Sequence, residues 1–153
     1  MEWINLTGSE CPVCGQRAIV VTSEPIEESA GGRAYLIEGV ARSRCTACGE
    51  EFFTGRQCEE IATRVTALAR ADLGRLSSEE IHELRLELGL TQADLEEQLG
   101  VGTGTVGRWE RGTVLQGGTA DRLMRIIRGH PELLPELGYV AREGRGPYRK
   151  RSR

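Results

Sequence analysis

Two cysteine pairs, CPVCG at 11–15 and CTACG at 45–49, restrict this chain of 153 residues more than any other feature. Each C-x-x-C pair can span one edge of a tetrahedron. Two pairs complete a four-thiolate set that suits zinc. The glycine after each pair, Gly15 and Gly49, permits a left-handed turn that points backbone N–H groups at sulfur. Thirty residues lie between the pairs, enough for a hairpin. Ala18–Thr22 and Ala34–Arg42 are strand-like, with the glycine-containing stretch Glu24–Arg33 read as the loop between them. The full set of Cys11, Cys14, Cys45 and Cys48 points to one structural zinc, since a catalytic zinc keeps a position open for water. A redox dithiol competes for the same motif, but it needs only one pair and a βαβ setting. Cys58 falls outside the pattern, on the next helix, and reads as a small buried residue.

Metal prevails over disulfides only where thiols stay reduced. Charged residues make up 28% of the chain, and no apolar run of about 18 residues is present, so no membrane span is expected. Met1-Glu2-Trp3 is acidic at the start with no apolar core behind it, unlike a secretory leader. The expectation is a cytoplasmic protein. The net charge of −3 is uneven. Residues 142–153 carry six basic residues against Glu143, while residues 1–60 carry ten acidic residues against five basic ones. Such a basic end is expected to be a disordered tail, either solvated or in contact with a polyanion.

The second half reads as helices. Glu59 to Leu76 has Ile61, Val65 and Leu68 at helical spacing and is expected to connect two domains, docking on the first as far as Leu68 and then running free to a hinge at Gly74. Ser77 with Glu80, and Thr91 with Asp94, match the capping-box pattern ahead of apolar residues. Ile81, Leu84 and Leu88 mark one helix, closed by Gly89. Leu95 and Leu99 mark the next, closed by Gly100. Val106 and Trp109 then turn inward at i, i+3 on a short helix, read as containing Gly102, Gly104 and Gly107. After the Gly117-Gly118 turn, Thr119 is the expected N-cap of a helix lined by Ala120, Leu123, Met124 and Ile127. Gly129-His130-Pro131 ends it, and Glu132–Leu137 is read as a last short helix. His82 and His130 are isolated and read as structural. No nucleophile–base or paired-carboxylate constellation is present, so no enzyme is expected.

TQADLEEQLG followed by TVGRWERG resembles the helix-turn-helix of the Cro/repressor (XRE) class. The resemblance implies five helices and DNA binding as a dimer. Position 96 is usually small in that class and is Glu96 here. A cysteine module CPxCG…CxxCGE, a connecting helix and an XRE-type domain ending in HPELL together resemble the MqsA (YgiT-type) antitoxins. The resemblance implies an α+β chain: a zinc-binding β-hairpin module over 1–58, a connecting helix over 59–76, a five-helix DNA-binding domain over 77–138, and a basic tail over 139–153. It further implies a homodimer that represses its own operon, with the zinc module binding a small ribonuclease toxin. The family touches bases with an asparagine and an arginine four residues later, which fall on Gly104 and Arg108. Arg108 can contact guanine with two hydrogen bonds. Thr103 and Thr105 flank the glycine and can reach base edges or backbone, while Gln92 and Arg111 are placed to hold phosphates. A stand-alone zinc-containing regulator without a toxin is the competing reading.

Overall fold

The computed structural model of the chain describes residues 5–137; the expected basic tail lies outside them. The chain divides into two compact units between Ala69 and Arg70, inside the stretch read as a connector. Five strands come first: β1 (Ile19–Thr22), β2 (Ile26–Ala30), β3 (Arg33–Ile37), β4 (Arg42–Cys45) and β5 (Glu51–Phe52). They form an antiparallel sheet of order β1-β4-β5 and a separate β2-β3 hairpin.

This corrects the expected single hairpin. Ala34–Arg42 is not one strand. It breaks at Glu38–Ala41, where Gly39 has φ 74°. Its first part pairs with β2, which lies where a loop was expected, and its second part pairs with β1. Gly31 and Gly32, with φ 59° and 81°, make the two-residue turn that joins Ala30 to its partner Arg33. Two consecutive residues at positive φ match the twist of a tight hairpin. Only Ile26 of β2 is buried, so the polar run Glu27-Glu28-Ser29 hides the strand.

Helix α1 covers Gly55–Leu73. It starts four residues ahead of Glu59 because Thr54 caps it: Gln57 N donates to Thr54 Oγ1 at 3.1 Å, and Thr54 N donates to Gln57 Oε1 at 2.9 Å. This is the reciprocal capping box, with glutamine in place of glutamate. Ile61 and Val65 pack with Ile26, Ile37 and Val40 in the first unit. Leu68 faces solvent, and Cys58 is exposed rather than buried.

The second unit contains α2 (Ser78–Glu87), α3 (Gln92–Leu99), α4 (Thr105–Glu110), α5 (Gly118–Gly129) and a 3₁₀ segment, Pro131–Leu137. Both expected capping boxes form, at Ser77 with Glu80 and at Thr91 with Asp94. Helix α5 starts before Thr119, from Gly117, with no side-chain cap. Pro135 lies inside the last segment, which winds as 3₁₀ rather than α. The core gathers Ile81, Leu84, Leu95, Val106, Trp109, Met124 and Ile127 from all four helices.

A polar network ties this core to the end of α1, which does not run free. Arg70 is 5% exposed. Its Nε donates to Gln116 Oε1 at 2.9 Å, its Nη2 to the Trp109 and Val114 carbonyls at 2.9 and 3.3 Å, and its Nη1 to Ser78 Oγ. Gln116 Nε2 in turn donates to the Leu76 carbonyl and to Asp121 Oδ1, which also accepts from Leu76 N. Gly74 has φ 60° and its carbonyl accepts from Arg125, so it ends the helix within the packed unit. A hydrogen bond to a charged group contributes about 1.5–3 kcal/mol, so Arg70→Ala should lower the stability of the second unit by about 3 kcal/mol or more. Urea unfolding followed by helical circular dichroism measures this; a loss below about 1 kcal/mol would mean that water replaces the guanidinium.

Candidate metal centre and candidate nucleic-acid interface

The two cysteine loops repeat one backbone pattern. Cys11 N donates to the Gln16 carbonyl at 2.9 Å, and Gly15 N to the Cys11 carbonyl at 2.8 Å. In the second loop, Cys45 N donates to the Glu50 carbonyl and Gly49 N to the Cys45 carbonyl, both at 2.8 Å. Gly15 and Gly49 have φ 73° and 80°, so both turns require the left-handed region that glycine adopts without strain. Pairing of β1 with β4 sets Ile19 opposite Cys45 and brings the loops together.

All four sulfurs lie within 4.8 Å of one another, with Cys11 to Cys48 at 3.8 Å and Cys14 to Cys45 at 3.7 Å. A tetrahedron with metal–sulfur arms of about 2.3 Å has edges of about 3.8 Å. A disulfide would need about 2.05 Å, and all the cysteines are free. Hydrogen bonding from Cys48 N–H, and then from Ala47 N–H, lowers the Cys45 thiol to about 7 against the effect of burial. Cys48 accepts from the Glu50 N–H, which lowers it, but burial and the sulfurs of Cys14, Cys45 and Cys11 push it up to about 12. One thiolate therefore forms readily and makes the next harder to form. A coordinated cation removes that repulsion. Cys11, Cys14, Cys45 and Cys48 thus fit a metal ion held by four sulfurs with no open position.

The candidate nucleic-acid residues lie together in the second unit. Gln92 opens α3. Gly100, at φ 63°, ends α3 in the left-handed region and leads into the turn. Thr103 is exposed in that turn, Gly104 is the N-cap of α4 at φ 77°, and Thr105 is its first residue. Gly102 and Gly104 therefore precede the helix, and only Gly107 lies inside it. Val106 and Trp109 are buried, whereas Arg108 is exposed on the opposite face. The Arg108 guanidinium bends back, with Nε donating to the Gly104 carbonyl and Nη2 to Thr105 Oγ1, each at 3.2 Å. Arg111 is exposed at the C-terminal end of α4.

Two carboxylates not anticipated as structural elements fix α4. Gly104 has no side chain to cap the helix, and Glu96, 6% exposed, does so from α3: its Oε1 accepts from Val106 N at 3.0 Å. Glu96 had stood out only as a departure from a small residue; its acceptor accounts for it. At the other end, Glu110 accepts from Arg85 Nε at 2.5 Å, from Gln92 Nε2 at 2.9 Å, and contacts His82 Nδ1 at 3.0 Å. This ties α4 to both α2 and α3. Burial opposes ionisation of Glu110, but hydrogen bonds from Arg85, His82 and Gln92 outweigh it and hold the carboxyl at about 2, below its ordinary 4.5. His82 is thus a structural partner, and His130 contacts exposed Glu132. No helix among the described residues is long and apolar enough to cross a membrane.

Residues 9–138 match the profile of a family described as the antitoxin component of a bacterial toxin-antitoxin system, MqsA. A curated relative, Antitoxin MqsA of Escherichia coli (strain K12), is 29% identical over 129 residues, which cover 84% of this chain and 98% of the relative.

Two outcomes follow from the geometry. Protein purified without chelator should contain one metal ion per chain by elemental analysis, and Cys45→Ser should lose it together with the β1-β4-β5 sheet while α2–α5 stay folded. A content well below one ion per chain would contradict the site. The depressed Glu110 contributes stability that is fully present above about 4.5 and is lost as pH falls toward about 2. Glu110→Gln should therefore destabilise the second unit at pH 7, and its deficit should shrink through that acid window in urea titrations. An equal deficit at both ends would contradict this.

Proposed function

The chain belongs to the MqsA antitoxin family, and from that premise we propose that it is the antitoxin of a type II toxin-antitoxin pair. Its first unit, closed by one structural zinc ion, binds and silences a small ribonuclease toxin. Its second unit, paired in a homodimer, holds operator DNA and represses the chain's own operon. It acts by binding, without catalysis. The observation that carries this reading is the presence, in one chain, of a closed four-sulfur site and of a braced short helix that keeps Arg108 on its outer face. Zinc is favoured because thiolates are soft ligands and the sulfur separations fit its bond length. The toxin partner is favoured by the antitoxin relative and by an acidic first unit, which would speed encounter with a basic nuclease.

On the DNA side, the α4 face enters the major groove. Arg108 reaches guanine O6 and N7 once it releases the Gly104 carbonyl. Thr103 and Thr105 approach base edges or backbone beside Gly104, which adds no side chain. Gln92 and Arg111 hold phosphates on either side.

Arg108→Ala should cost about 1–3 kcal/mol in operator binding and relax the preference at one position of each half-site. Unchanged affinity and base preference in gel-shift titrations would overturn the register of α4. Co-expression of residues 1–75 with the neighbouring small reading frame should restore growth and yield a stable complex. A non-toxic neighbour, or rescue that requires residues 76–138, would favour a stand-alone zinc-containing regulator.

A further inference from the structure

Gly107 is the one residue of α4 that defies helix preference, since a helix-interior glycine costs about 1 kcal/mol relative to alanine. Its φ is not in the left-handed region, so backbone conformation does not require glycine there. Space does. A Cβ built at 107 would lie 3.1 Å from Gln92 Oε1, 3.6 Å from Gln92 Cδ and 3.3 Å from Arg111 Nη1. Two exposed polar side chains, one from α3 and one from the end of α4, therefore converge over a buried glycine backbone. Gln92 is also held from its other side, with Nε2 donating to Glu110 Oε2 at 2.9 Å.

We propose that Gly107 is a positioning residue for phosphate binding: by lacking a side chain, it lets the Gln92 amide and the Arg111 guanidinium settle together across α4, where both can meet the DNA backbone. This rests on the DNA-binding role proposed above. The physical logic is preorganisation. Both side chains are long and rotamer-rich, and fixing them before binding reduces the ordering cost at the interface. Glu110 anchors one and Gly107 gives both a floor at backbone height. An alanine methyl would lift them by a few tenths of an ångström or more. Because the neighbours are the ends of flexible exposed side chains, they can move without disturbing the core.

The stability and binding effects of Gly107→Ala should therefore have opposite signs. The thermal midpoint of the metal-loaded full-length protein should stay equal or rise. Affinity should fall about tenfold for operator and for unrelated duplex alike, and displacement of the Arg111 cation should flatten the slope of log affinity against log salt by about 1. In a background that already carries Gln92→Ala and Arg111→Ala, adding Gly107→Ala should change nothing further, because Gly107 acts through those side chains. Wild-type affinity in Gly107→Ala, or an equal loss in that background, would overturn the inference while leaving DNA binding intact. Failure of the wild-type protein to bind any duplex would remove the DNA-binding reading, and this inference with it.

Discussion

The convergence of four sulfurs on one point is the interaction on which the first unit depends. Among the described residues its apolar core is split into two small clusters, one of five buried residues and one formed by Ile19 with Cys11 and Cys45 themselves. A unit of this size with so divided a core is marginal on burial alone. A metal held by the cysteine loops would supply what the core lacks, because a bound metal contributes folding free energy directly. The same economy leaves much of the unit's surface uncommitted. Leu36, Val20 and Val21 are exposed, and β1 forms an edge of its sheet.

The second unit solves a different problem. Its core gathers eleven buried residues among those described, but α4 is only six residues long and follows a glycine N-cap. A helix this short is marginal unless its ends are held. Glu96 satisfies the Val106 amide at the N-terminal end, and Glu110, gripped by Arg85, Gln92 and His82, fixes the C-terminal end. The result is a helix anchored through Val106 and Trp109 with Thr105 and Arg108 on its outer side. Rigidity at that face is what a groove-reading element requires.

The features legible in the sequence are those whose chemistry is local. The cysteine loops are set by spacing and by a following glycine, and the Ser77 and Thr91 caps by residues three apart. Thr54 with Gln57 carried the same kind of signal, with glutamine where glutamate is the commoner partner. What escaped the sequence depends on distant partners. Arg70 and Gln116 are 46 residues apart and polar, so no periodicity marks them as core. Leu68 keeps the helical spacing of Ile61 and Val65 yet faces solvent, while Arg70 is buried. In the hairpin, Glu27-Glu28-Ser29 is polar because only one residue of β2 is buried, and the Gly31-Gly32 turn was the better guide. At the candidate interface the outward positions were readable from Val106 and Trp109 alone, but the two carboxylates that brace α4, and the crowding over Gly107, appear only when α2 and α3 are packed beside it.

The central proposal is that one chain holds a metal-closed unit that binds a toxin and a second unit that binds DNA. Native mass spectrometry of this chain, produced from its own operon with its neighbouring gene product and mixed with the operator duplex, tests that claim most directly. The account predicts a dimer of this chain with two zinc ions that takes up the neighbour protein and also binds the duplex. Detection of this chain without metal, or of a dimer that binds the duplex but takes up the neighbour in no form, would contradict it.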